Sequence, residues 1–337
     1  MATEYILEIN NLKTQFVVRR RRVVRAVDGV TFKVRRGKIL GLVGESGCGK
    51  SVTAHSIMRL LPKTAVIPEG SILFHPEGGE SVDMAKLNPT GRKIRSIRGN
   101  EISMIFQDPM ASLNPVYNIG DQIIEVLREH SKITKKEALE RAVRMLELLS
   151  IPKASERIKD YPHQFSGGMK QRVMIAMGLI CRPQLLIADE PTTALDVTIQ
   201  AQIIELIKEM QSEFGFSTII ITHNMGIVAD MADDVAVMYM GKIVEFGTKE
   251  DVFLNPLHPY TQALLKSVPI LGNAGEDKLI PIRGVTPDPS EMPPGCAFEP
   301  RCDFATEACK TCVPGRVGVT DSHIVRCVHC IGEKLDD

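Results

Sequence analysis

Eight consecutive residues, Gly44-Glu45-Ser46-Gly47-Cys48-Gly49-Lys50-Ser51, place glycines, a lysine and a serine in the spacing G-x-x-x-x-G-K-[ST]. Glycine lets a backbone curl so that several N–H groups face one anion. The lysine is placed to bridge two phosphates of a nucleotide, and the Ser51 hydroxyl to ligate Mg2+. Cys48 stands at a variable position and reads as filler, and Val52 follows as the next residue beside the bound phosphates. The flanks agree: a short apolar run at 39–43 precedes the loop, and a helical segment at 50–61 follows it and stops at Pro62. The helix N-terminus adds positive potential to the same spot.

A second apolar run, 185–188, delivers Asp189 and Glu190 to a strand end. Asp189 would hold Mg2+ through water, and Glu190 would orient the attacking water or take its proton. Gln107 follows the apolar run 102–106, and His223 follows 219–222. In an open α/β sheet the carboxyl ends of the strands line the ligand crevice. Gln107 is therefore expected to reach the metal or the water, and His223 the γ-phosphate.

The cysteines offer different chemistry. Six of the eight, Cys296, Cys302, Cys309, Cys312, Cys327 and Cys330, crowd into the last stretch. In a cytosolic chain such clustering favours metal over disulfides. By spacing alone, Cys309-x2-Cys312 and Cys327-x2-Cys330 fit a structural zinc site, with free thiols as the other reading.

The elements that must position these groups follow from periodicity. Residues 6–18 and 23–34 read as β-strands joined at the basic run Arg19 to Arg22, a solvated turn. Further β signal lies at 71–74. Between 118 and 150 apolar residues recur at helical spacing, and Thr134 with Glu137 forms a capping-box pattern. Helices at 169–180 and 198–214 alternate with strands at 185–188 and 218–222, and 235–246 closes as a hairpin. Strands alternating with helices predict an α/β fold, a largely parallel sheet covered on both faces. From Pro256 onward Pro and Gly are dense and regular structure should be sparse. The expected division is 1–255 for one large domain, with a helical insert at about 108–165, and 256–337 for an extension carrying the cysteines.

The formal net charge is zero, so no basic surplus points to nucleic acid. No apolar stretch approaches the roughly 20 residues that cross a bilayer, and residues 1–8 lack a signal pattern. The expectation is a soluble, cytoplasmic chain that touches a membrane only through a partner.

Phe165-Ser166-Gly167-Gly168-Met169-Lys170-Gln171-Arg172 resembles the signature sequence of ATP-binding cassette (ABC) ATPases. Asp189-Glu190-Pro191 with Ala194-Leu195-Asp196 resembles that family's Walker B and D-loop, and Ile221-Thr222-His223 its switch histidine. The resemblance implies a P-loop NTPase (RecA-like) nucleotide-binding domain with an antiparallel β subdomain and a helical insert. It implies ATP and Mg2+ as ligands, Glu190, His223 and Gln107 in catalysis, and Phe16 stacked on adenine. Ser166, Gly167 and Gly168 would then serve the nucleotide of the opposite subunit, with Asp196 of the D-loop also among the nucleotide-binding residues. Two identical or homologous ATPase subunits would face head to tail, with the helical insert docked on a membrane permease at its cytoplasmic face.

The segments Pro256-Leu257-His258-Pro259-Tyr260-Thr261, Pro293-Pro294-Gly295-Cys296-Ala297-Phe298 and Pro300-Arg301-Cys302 look like those of oligopeptide/dipeptide permease ATPases, with nickel uptake ATPases as near relatives. The resemblance implies peptide import aided by an extracytoplasmic solute-binding protein. It also implies a [4Fe–4S] cluster on Cys296, Cys302, Cys309 and Cys327, with Cys312 and Cys330 spare; the zinc reading stays open beside it. A soluble ABC ATPase outside transport and a subunit with vestigial hydrolysis are the rival readings.

Overall fold

The structure, a computed structural model, describes residues 3–18, 22–108, 112–193, 195–267 and 281–335. Its centre is a parallel sheet: β3 (Ile39–Val43) lies between β8 (Ser217–Thr222) and β9 (Asp234–Tyr239), and β7 (Leu185–Asp189) and β6 (Ile102–Ile105) continue beyond β8. All five of these strands are buried along their whole length, as a sheet covered on both faces requires. Alternate residues face opposite layers. Leu40, Leu42, Leu185, Ile187, Ile219 and Ile221 face one apolar cluster. Ile39, Leu186 and Ile220 face the other.

The first cluster is shared with an antiparallel sheet of order β2-β1-β4-β5, in which β1 (Tyr5–Val18) pairs with β2 (Arg22–Arg35) and β4 (Ala65–Phe74), and β5 (Val82–Asp83) pairs with β4. The strands on both sides of the basic run form as expected; residues 19–21, which hold most of that run, lie outside the described residues.

The helices number α1 (Lys50–Ile57), α2 (Arg92–Ile97), α3 (Ile119–His130), α4 (Lys135–Leu148), α5 (Ala154–Arg157), α6 (Gly167–Leu179), α7 (Val197–Phe214), α8 (Met225–Met231), α9 (Lys249–Leu254), α10 (Pro259–Lys266) and α11 (Glu307–Thr311). The predicted helical pair at 118–150 is α3 and α4. Asn118 caps α3, and Thr134 with Glu137 closes the expected capping box of α4. Their apolar faces (Ile123, Leu127, Ala142 and Leu146) pack with α6 in the second cluster.

Regular structure is sparse over 281–335, as the Pro and Gly content leads one to expect, but the short strands there are continuous with the sheet. β10 (Lys242–Thr248) pairs with β9 and, on its other side, with β12 (Ile324–Val325). β11 (Arg316–Gly318) and β13 (Glu333–Leu335) extend the ladder to nine strands among the described residues. Covering the outer edge of β10 removes an exposed ladder edge. Strands of two or three residues are too short to show a period, so the sequence hid them. A third apolar cluster joins Val43, Val237 and Tyr239 of the sheet to Tyr260, Leu264 and Phe298 of the C-terminal segment.

Candidate active site

The phosphate loop links β3 to α1. Gly44 (φ 150°) and Gly49 (φ 110°) both hold backbone conformations that favour glycine, and a Cβ would strike the Met238 carbonyl at Gly44 and the Ala26 carbonyl at Gly49. Ser46 and Gly47 are exposed at the turn, whereas Cys48 is buried and burial pushes its thiol pKa up. The Lys50 ammonium is buried and donates to the Gly44 carbonyl at 2.8 Å and the Glu45 carbonyl at 2.9 Å. Val52 packs at the edge of the first cluster. Phe16 is half-buried and, with Val24, Ala26, Gly47 and Gly241, lines a cavity of about 240 Å3 beside the loop. An aromatic ring at the edge of a phosphate loop has the shape and surface to take a base.

The carboxylates converge from the strand ends. Ser51 Oγ donates to Asp189 Oδ1 at 3.1 Å. Asp189 is buried; burial raises its carboxyl pKa, and the Ser51 bond only partly opposes that. Two hard oxygens side by side, one of them on a buried carboxyl, fit a divalent cation such as Mg2+.

Glu190 has a left-handed backbone (φ 45°), held by its N–H donating to the Ile221 carbonyl at 2.8 Å. A non-glycine residue in that region is strained by roughly 1–3 kcal/mol. The twist aims its side chain at three polar groups. Gln107 Nε2 donates to Oε2 at 3.0 Å, Thr193 Oγ1 donates to Oε2 at 2.8 Å, and His223 Nδ1 lies 3.3 Å from Oε1. Burial alone would raise the Glu190 pKa, but the Thr193 and His223 bonds outweigh it and hold the carboxyl below its ordinary value. Gln107 thus stands with Glu190. His223 is largely exposed, its ring free to meet a ligand. Thr193 was not singled out from sequence; the only signal was a hydroxyl three residues beyond Glu190.

Ser166 caps α6, accepting from the Met169 N–H at 3.4 Å, and both it and Gly167 are exposed. Asp196 caps α7 through the Ile199 N–H at 3.0 Å. The two helix starts are neighbours: Gly167 lies against Leu195, and a Cβ on Gly168 would press into Ile199. The α6 start is turned outward, and a helix N-terminus of this kind favours negative charge. Ala194, part of the predicted D-loop, lies outside the described residues.

Among the described residues no group of three or more His, Cys, Asp or Glu side chains is set to hold a metal ion. The iron–sulfur and zinc expectations thus have no ready-made site. Cys296 and Cys302 each feel the charges of Cys309 and Cys327, with burial the larger cause raising both thiols. Cys312 is exposed and donates to the Val313 carbonyl at 3.8 Å, so the paired C-x2-C zinc spacing does not close. Sequence reading also missed Arg301 and Tyr260, which reach Glu45 of the phosphate loop from the C-terminal segment. A separation of more than two hundred residues leaves no local signal for such a pair.

Residues 27–193 match the family described as "ABC transporter", and residues 244–309 match "Oligopeptide/dipeptide transporter, C-terminal region". The dipeptide transport ATP-binding protein DppD of Bacillus subtilis is 51% identical, over 96% of this chain and 94% of its own. The oligopeptide transport ATP-binding protein AppD of the same organism is 50% identical over 96% of each. Among solved structures, the dimeric ATP-binding cassette MJ0796, bound to ADP and Pi in a post-hydrolysis state, superposes with a TM-score of 0.63 at 22% identity. That match covers 72% of this chain and 98% of MJ0796, and it establishes the cassette fold.

Proposed function

The chain belongs to the ABC transporter ATP-binding proteins, in the oligopeptide/dipeptide branch, and from that premise we propose that it hydrolyses ATP to drive peptide uptake through a membrane permease. The observation that carries the catalytic reading is the convergence of Gln107, Thr193 and His223 on one carboxylate, Glu190, beside the Ser51–Asp189 pair and the phosphate loop.

On this reading the β- and γ-phosphates of ATP lie along the N–H groups of 44–51, and Lys50 exchanges its two loop carbonyls for phosphate oxygens. The adenine rests against Phe16. Ser51 and Asp189 hold Mg2+, which neutralises phosphate charge when bound. Glu190 orients the in-line water and accepts its proton. Gln107 and Thr193 fix the carboxylate, and His223 turns from Glu190 toward the γ-phosphate. A second cassette, identical or homologous, brings its own Ser166–Gly168 and Asp196 to the open side of this nucleotide. Two ATP molecules are then held between facing subunits; the outward α6 start supports this reading, and the MJ0796 cassette, itself dimeric and bound to ADP and Pi, is in keeping with it.

The segment spanning α3 to α5 is the surface proposed to dock on the permease at the cytoplasmic face, with a solute-binding protein supplying peptide from outside. No helix among the described residues is long and apolar enough to cross a membrane, so attachment would be through the permease. The cysteine-held cluster also stands as a proposal. Its support is donor chemistry, since Cys296, Cys302, Cys309 and Cys327 offer four thiolates such as [4Fe–4S] or Zn2+ takes. The test of the whole reading is reconstitution. Vesicles carrying the chain with its permease should accumulate labelled peptide with Mg-ATP and stay empty when Lys50 is replaced by Ala. Uptake of nickel but not peptide, or ATPase activity that no permease accompanies, would overturn it.

A further inference from the structure

Glu45 poses a problem. It is a carboxylate inside a loop whose work is to bind a polyanion. The structure supplies the answer from the far end of the chain. Arg301 Nη1 lies 2.6 Å from Glu45 Oε2, and Nη2 lies 3.0 Å from Oε1, a fork meeting a fork.

The guanidinium is held for this task. Its side chain is only 3% exposed. Nε donates to the Arg283 carbonyl at 2.9 Å, Nη1 also reaches Thr286 Oγ1 at 3.3 Å and Tyr239 Oη at 3.4 Å, and the group sits over the rings of Tyr239 and Phe298 at 5.8 and 6.0 Å. Thr286 Oγ1 adds a bond to Glu45 Oε2 at 3.4 Å. The main chain of the same residue is tied as well: the Glu45 N–H donates to Tyr260 Oη at 2.9 Å, and the Glu45 carbonyl accepts from Lys50. Glu45 is thus gripped on its amide by α10, on its carboxylate by Arg301, and on its carbonyl by the loop's own lysine.

We infer that Arg301 is a positioning residue of the nucleotide site: it cancels the Glu45 charge and keeps the phosphate loop in its anion-binding shape. The inference deepens the ATP-binding reading above and rests on it. Without Arg301, a freed carboxylate faces the phosphates and the loop samples other shapes. Apparent affinity then falls by the fraction of time the loop is competent and by like-charge repulsion. Groups at the reacting end, Glu190 and His223, are untouched.

The test uses the full chain together with its second cassette, a fluorescent ATP analogue with Mg2+ for binding, and phosphate release for turnover. Arg301→Ala should raise Kd and KM by about tenfold while kcat at saturating ATP stays within about twofold. Adding Glu45→Gln to Arg301→Ala should bring Kd back to within about threefold of the parent, because the orphaned charge is gone. A residue that merely pinned the C-terminal segment would show no such rescue, since the hole at 301 remains. If Arg301→Ala does not fold, Arg301→Gln, which keeps most of the volume and loses the charge, carries the same two expectations. Unchanged affinity on losing Arg301, or a loss that Glu45→Gln leaves in place, overturns the inference. Lys50→Ala is run alongside. If it binds nucleotide like the parent, the ATP-binding reading itself fails; if it alone loses binding, only the role of Arg301 fails.

Discussion

Replacing Glu190 by Gln separates holding the water from deprotonating it, and the geometry sets the size of the effect. Both strong donors, Thr193 at 2.8 Å and Gln107 at 3.0 Å, aim at one oxygen, Oε2. A glutamine can put its carbonyl oxygen there and keep both bonds. Its NH2 then faces His223 Nδ1, which accepts in the matching neutral tautomer. The left-handed backbone at 190 is unaffected, being held by the Ile221 carbonyl. Folding stability should therefore change by less than about 1 kcal/mol, and ATP affinity by less than about threefold. The lost function is the proton acceptor. General-base contributions run to about 10²–10⁴-fold, or about 2.7–5.5 kcal/mol of barrier. Phosphate release by the purified chain with its second cassette should drop by that factor, while a fluorescent ATP analogue binds as before. Turnover within about tenfold of the parent, or ATP binding lost together with turnover, would refute the role given to Glu190.

Three further outcomes are expected. Gly49→Ala forces a Cβ against the Ala26 carbonyl at φ 110°, so it should lose at least about 2 kcal/mol in urea unfolding and bind the ATP analogue more than about tenfold more weakly. His258 is fully buried and caps α10 as a neutral ring, Nδ1 accepting the Tyr260 N–H at 3.0 Å. Burial lowers its pKa from 6.5 to about 4, against the opposing pull of Glu245 and a backbone bond with Arg326. The unfolded chain therefore takes up a proton first, and stability should fall by up to about 1.4 kcal/mol per unit as pH drops from 6.5 toward 4; melts at several pH values should show this slope reduced in His258→Asn. Anaerobic purification should give protein with iron and labile sulfide, or zinc, that Cys309→Ser removes, and metal-free parent protein would end the cluster proposal.

The parts of the fold that were legible are those in which one short stretch carries its own reason. The buried runs before Gly44, Gln107, Glu190 and His223 are strands because they are apolar and brief. Their polar ends share a crevice because parallel strands all finish on one side. The capping box at Thr134 and Glu137 was readable for the same local reason. What sequence could not give depends on distant partners. Arg301 meets Glu45 across the whole cassette, and the strand at 324–325 exists because β10 leaves an edge to pair with, the strand at 316–318 adding to it in turn. The C-x2-C zinc spacing is the part of the cysteine pattern that the geometry does not match. Cys309-x2-Cys312 looks like half a zinc site, yet Cys312 turns outward.

The central claim is that one chain holds only part of a working site, the rest coming from a facing cassette. The most direct measurement is the phosphate-release rate per chain over a dilution series, with sedimentation reporting the assembly state and the second cassette added at the end. The account predicts a rate near zero for the monomer that climbs as pairs form. A constant, full rate in a strictly monomeric chain would contradict it.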